Sequence, residues 1–124
     1  MFYKEEDMKI AVIGSRTVEI DCLEEYLPRD TDELVSGGAK GIDRCAEEYA
    51  RKNGIEITVF LPDYARYGRG APLKRNERIA EYADCGIAFW DGSSRGTKYT
   101  VDCFRRLGKP IRVLTRSDAD GKWR

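Results

Sequence analysis

The chain contains no histidine. That removes every histidine-dependent catalytic triad and the commonest metal ligand, so no metal site is expected. Cysteine is sparse and unpatterned: Cys22, Cys45, Cys85 and Cys103 form no C-x-x-C pair. Cys45 falls on the apolar stripe of a helical pattern and Cys85 precedes an apolar run. They read as buried free thiols of a reducing compartment. An excess of one charge is missing as well, because Lys plus Arg and Asp plus Glu both total 22. A duplex-binding surface normally carries a basic excess or stripe, so composition gives nucleic acid no support as a partner. No apolar run approaches the length of a membrane span, and Met1–Asp7 has no apolar signal core. The expectation is a cytoplasmic protein with no membrane partner. No G-x-x-x-x-G-K-[ST] occurs, which excludes a P-loop, and without histidine no nucleophile elbow could complete a triad.

What is present is organised around Leu34–Asp43, L-V-S-G-G-A-K-G-I-D. A short apolar run collapses into Gly37, Gly38 and Gly41, and a helical stripe follows at Ile42, Cys45, Ala46, Tyr49 and Ala50. Strand, glycine turn and helix start in succession expose backbone N–H groups beside the positive end of a helix dipole, where an anion can bind. Glycine is also the default wherever φ must be positive, so the turn alone is a modest signal.

The remaining elements follow the same rhythm. Lys9–Ile13 is a continuous apolar run, the pattern of a strand buried on both faces. Ile20, Leu23 and Leu27 predict a short amphipathic helix stopped near Pro28. Glu56–Leu61 reads as a third strand, closed by Pro62, and Asp63–Pro72 as the longest irregular stretch. A helix is expected from Leu73 to Ala83, with Leu73, Asn76, Ile79, Ala80 and Ala83 on its inner face. Gly86–Trp90 reads as a fourth strand, the stripe Val101, Phe104 and Leu107 as a helix, and Ile111–Leu114 as a fifth strand. Alternation of strands and helices predicts an α/β, Rossmann-like three-layer sandwich with a five-stranded, mostly parallel sheet. Strand order 3-2-1-4-5 is expected, with the flavodoxin-like 2-1-3-4-5 as the alternative. One domain spans 9–116, between a flexible N-terminus at 1–8 and a polar tail at 117–124.

Ligands of such sheets sit beyond the carboxyl ends of the strands, where strand order reverses. Those ends carry Gly14, Ser15 and Arg16 after the first strand, and Ser36, Gly37, Gly38 and Ala39 after the second. Pro62, Asp63 and Tyr64 follow the third; Asp91, Gly92, Ser94, Gly96 and Thr97 follow the fourth. A phosphate is expected near Gly37–Gly41 and Gly96-Thr97, with Arg16 pairing bidentately. Asn76 sits on an apolar helix face, where its amide either bonds neighbouring backbone or faces a ligand. Lys74 and Arg75 read equally as solvated charges or ligand contacts, and Tyr64 and Trp90 as base-stacking or core residues. Asp43 at a helix start complements the dipole.

Taken in order, G-S-R (14–16), S-G-G-A-K-G-I-D (36–43), P-x-Y (62–64), R-G-A-P-L-K-R-N (69–76) and W-D-G-S-S-R-G-T (90–97) resemble the SLOG superfamily. These are the Rossmann-like domains shared by the DNA-processing protein A and LOG families. The small single-domain YspA-like members are the nearest in look. The resemblance implies a nucleotide or nucleotide-derived ligand, bound by a sensor or ligand-binding module, held by Gly14–Arg16, Ser36–Gly38, Arg75, Asn76 and Gly92–Thr97. It also implies compatibility with a homodimer. The LOG branch cleaves nucleoside monophosphates through a glutamate in P-G-G-x-G-T-x-x-E. Here Thr100 stands in that place and cannot supply a carboxylate. A hydrolase would then draw its acid from Asp43, Asp63 or Asp91. The DNA-processing branch, similar in S-G-x-A-x-G-I-D, implies single-stranded DNA binding instead.

Overall fold

The computed structural model describes residues 8–20, 23–28, 30–38 and 41–124. Cys22, Ala39 and most of the expected N-terminal extension, 1–7, lie outside the described residues. The strands are β1 (Lys9–Gly14), β2 (Glu33–Ser36), β3 (Glu56–Val59), β4 (Cys85–Phe89) and β5 (Ile111–Leu114). They form one sheet in the order β3-β2-β1-β4-β5, and every pairing is parallel. The order reverses between β1 and β4, so the two strands diverge there toward opposite halves of the chain.

Among the described residues four α-helices lie between the strands: α1 (Ile42–Asn53), α2 (Tyr64–Tyr67), α3 (Ala71–Tyr82) and α4 (Arg95–Arg106). Period-2 alternation in β1 divides the core between the sheet's faces. Ile10 and Val12 join Ile42, Ala46 and Ala50 of α1 on one side. Ala11 and Ile13 join Ile79 and Ala80 of α3 and Val101 and Phe104 of α4 on the other. A strand that packs on both faces has no polar face to show, which is why β1 is uninterruptedly apolar.

The structure corrects several sequence-based boundaries. Ile20, Leu23 and Leu27 are buried, yet among the described residues of this stretch only Leu23–Glu25 is helical, as a single 3₁₀ turn. These three apolar anchors seat the connection against the sheet, and Pro28 follows the turn. β3 ends at Val59 because its partner β2 ends at Ser36; Phe60 makes one last backbone bond to the Ser36 carbonyl (2.8 Å). Leu61 beyond it is 65% exposed. The stretch read as irregular holds α2, capped by the Asp63 carboxylate accepting from the Arg66 N–H (3.1 Å), and a 3₁₀ turn at Gly68–Gly70. α3 then begins at Ala71, two residues before the expected start, because Pro72 in its first turn has no N–H to lose and a φ already suited to a helix. Leu73, expected on the inner face of that helix, is 44% exposed.

Thr115–Arg124 folds back on itself rather than trailing away. Thr115 and Arg124 exchange backbone bonds (2.9 and 3.0 Å), the Ser117 N–H reaches the Lys122 carbonyl, and Arg116 and Trp123 form an antiparallel bridge. Trp123 meets Phe89 edge-on, with ring centroids 5.6 Å apart. Among the described residues, no helix is long and apolar enough to cross a membrane.

Candidate ligand cleft

The carboxyl ends of β1 and β4 open onto a cleft of about 410 Å³. Ser15 ties its two lips together. The Ser15 N–H donates to the Phe89 carbonyl (3.2 Å), and its Oγ accepts from the Asp91 N–H (3.2 Å). With both functions engaged and only 2% of the residue exposed, Ser15 braces the loops.

Two guanidinium groups enter from different elements. Arg16 comes from the loop after β1 and is exposed; Arg75 comes from the first turns of α3 and is half-buried. Arg75 Nη1 donates to the Gly37 carbonyl (2.5 Å), and its Nε to Asn76 Oδ1 (2.7 Å). A Cβ on Gly37 would lie 2.7 Å from that Nη1, so glycine is required for the guanidinium to lie across the turn. Burial pulls the Arg75 pKa below the ordinary guanidinium value; Asp43 and Tyr64 oppose that shift, and Arg16 reinforces it. An arginine stays protonated through such a shift, so Arg75 is a desolvated cation facing a like charge.

Asp43, in the first turn of α1, is 8% exposed and lines the same cleft. Its carboxylate is the acid that acts on Arg75. Gly41 precedes it at φ 78°, and a Cβ there would fall onto the Arg16 carbonyl and 2.9 Å from that of Val18. The turn after β2 is thus shaped by close backbone approach.

The start of α4 forms the opposite wall. The Ser94 Oγ accepts from the Thr97 N–H (3.3 Å), a side-chain N-cap. Asp91 Oδ1 accepts from the Ser93 and Ser94 N–H groups (2.9 and 2.8 Å), and these bonds hold its carboxyl below the usual range. Gly96 lies in the cleft wall, and the intrahelical ladder offers its first-turn amide no acceptor. Thr100, buried, donates its Oγ1–H to the Gly96 carbonyl (2.8 Å).

The cleft therefore gathers Gly14, Ser15 and Arg16 with Gly37, Asp43, Arg75 and Asn76, and with Asp91, Ser94, Gly96 and Thr97. The other sequence candidates fall elsewhere. Ser36 is fully buried and its Oγ accepts from the Gly38 N–H (3.3 Å), so it shapes the turn. Gly38, Pro62 and Tyr64 do not line the cleft, Gly41 faces a neighbouring hollow, and Trp90 and Gly92 line a third. The Trp90 indole N–H is engaged with the Ser94 carbonyl (3.0 Å). Ala39 lies outside the described residues. Ile13, Thr17, Pro72, Leu73, Ile79 and Thr100 also line the cleft and were not singled out as ligand contacts from the sequence. Nothing in their spacing distinguishes them from core or loop residues; they reach the cleft because β1 with its following loop, α3 and α4 converge on it.

A family model described as the YspA, cpYpsA-related SLOG family matches residues 8–67, from β1 through α2. No curated protein matches the chain. Among solved structures, the X-ray structure of DNA processing protein A (DprA) from Streptococcus pneumoniae aligns with a TM-score of 0.73 and 21% identity. The alignment covers 93% of this chain and 53% of that one, so the chain spans about half of that protein's length. At this identity the likeness is one of fold, and it agrees with the strand order found here. The family match thus lies on the stretch that carries the glycine turn and Asp43, just under half of the chain, and the likeness to DprA extends the same architecture over the rest.

Proposed function

We propose that the cleft binds a nucleotide or nucleotide-derived phosphorylated ligand, and that the domain acts as a ligand-binding module or sensor. The observation that carries this reading is the convergence of Arg16 and half-buried Arg75 on one cleft beside the first turn of α4. Two like charges in a partly desolvated site repel, and a bound anion turns that repulsion into charge-assisted hydrogen bonding. The α4 dipole favours the same sign of ligand. The cleft has room beyond a phosphate, within the roughly 300–1,000 Å³ of small-molecule sites, and its apolar floor of Ile13 and Ile79 suits a sugar or base better than inorganic phosphate alone.

Thermal-shift titration with nucleoside mono- and diphosphates, ADP-ribose, ribose 5-phosphate and pyrophosphate tests the reading. A ligand at a hundred times its Kd stabilises by about 2.7 kcal/mol, a clear rise in Tm. No shift with any of them at millimolar concentration would remove the proposal.

A second reading, N-glycosidic hydrolysis of a nucleotide, is favoured by one observation: the carboxylates of Asp43 and Asp91 both border the cleft. Against it, Thr100 supplies no carboxylate and its hydroxyl is engaged with the helix. Free base released from a nucleoside monophosphate, and lost in Asp43→Asn or Asp91→Asn, would establish catalysis. Binding without base release leaves the module reading.

A further inference from the structure

The hollow lined by Trp90 and Gly92, of about 330 Å³, adjoins the arginine cleft, and the two share Thr17 and Asp91 as a common rim. Its walls differ in kind. Trp90, just past β4, and Trp123, from the segment folded back after β5, both border it. Each indole is partly exposed, and each is anchored: Trp90 through its N–H to the Ser94 carbonyl, Trp123 through the Arg116 bridge and the edge-on contact with Phe89. Charge in this hollow is net acidic, whereas the arginine cleft sets two cations against Asp43 and Asp91. Glu19, Asp91 and Asp118 face one cation, Arg116. Such a hollow repels phosphate and suits a planar, uncharged group that donates hydrogen bonds, which describes a nucleobase with an exocyclic amine.

Building on the ligand reading above, we propose that the ligand lies across the Thr17–Asp91 rim, its phosphate at Arg16 and Arg75 and its base in the Trp90–Trp123 hollow. The folded-back segment is then a specificity element. It supplies Trp123 and Asp118 to a site that β1, β2, α3 and α4 leave open at one end.

Trp90 and Trp123 are the only tryptophans in the chain, so all indole emission arises at this hollow. The test is a fluorescence titration with AMP, GMP, CMP and UMP against ribose 5-phosphate, run beside thermal shift. At least one monophosphate is expected to raise Tm and change the emission, in wild type and in Trp90→Phe, where Trp123 is the sole reporter. Ribose 5-phosphate is expected to raise Tm and leave the emission unchanged. Trp123→Ala should weaken the monophosphate about ten-fold, the size of one lost base–aromatic stack, and leave ribose 5-phosphate unaffected. Trp123→Phe, which keeps an aromatic ring against Phe89, should bind close to wild type and guards against loss of the folded-back segment. A monophosphate that raises Tm with no change in emission, or binds Trp123→Ala as it binds wild type, overturns the placement of the base and leaves the ligand reading standing. Failure of every compound to raise Tm overturns the ligand reading and the base placement with it.

Discussion

The turns after β2 and β4 look alike in sequence: each is glycine-rich, carries a hydroxyl and opens a twelve-residue helix. In the folded protein they are not equivalent. At α1 no side chain caps the helix start, an acid stands in the first turn, and that acid, Asp43, is nearly buried. The positive end of the α1 dipole is therefore answered from within the protein. The turn leading to it seats Arg75 through the Gly37 carbonyl, and presses Gly41 against the Arg16 loop. At α4 the cap is a serine, the first turn carries no acid, and Gly96 is left in the cleft wall. The difference teaches that a glycine turn serves an anion in two ways. It could present its own amides, or hold a cation in place by its carbonyl, and the turn after β2 holds Arg75 by the Gly37 carbonyl.

The largest expected effect tests that division directly. Arg75→Ala removes the cation that the β2 turn holds, and should weaken any phosphorylated ligand about 10- to 100-fold by calorimetry, the worth of one charged hydrogen-bonded group. Arg75→Lys should recover only part of this, because an ammonium cannot reach Gly37, Asn76 and a ligand with one planar fork. If Gly96→Ala costs more affinity than Arg75→Ala, the α4 wall dominates and the comparison is inverted.

Gly41→Ala should act on stability more than on affinity. A φ of 78° disfavours any side chain, and the added methyl meets backbone carbonyls that have nowhere to go. A cost of about 1–3 kcal/mol is expected from the backbone conformation alone, seen as a drop of several degrees in Tm. Ser94→Ala, by contrast, removes only the α4 cap and should cost about 1 kcal/mol. Equal losses from the two would mean that both turns are plain helix starts.

The smallest effect concerns the folded-back segment. Arg124 and the Lys122 N–H hold the Asp120 carboxyl down at about 2. Since that pKa lies below the ordinary 3.8, the stabilisation is present above pH 4 and fades as pH falls toward 2. Indole emission should report a small acid transition in that window, and Asp120→Asn should abolish it while leaving the neutral-pH spectrum alone.

Much of the architecture is legible in residue order. K-I-A-V-I can only be a strand covered on both faces, and its alternation with helical stripes leaves few sheets to choose from. The cleft is legible in part, because strand ends are where ligands collect in such sheets. What residue order left open were roles that only packing fixes. Arg75 lies on α3, and only packing brings it to Gly37, 38 residues away. Asn76, ambiguous as a lone amide on an apolar face, is resolved by the neighbouring guanidinium it accepts from and by the cleft it borders. Leu73 and Pro72 read as core and loop, yet the earlier start of α3 brings both to the cleft wall.

By itself the sequence determined the strands, the parallel doubly wound sheet, and the SLOG-like motifs in their order, because these rest on local periodicity and on glycines that tight turns require. Tertiary structure decided which of two similar turns holds a cation and which stays open. It also decided that a stretch polar in composition folds back to bring Trp123 beside Trp90. Both outcomes depend on long-range packing, whose contacts leave no periodic trace in the residues that make them.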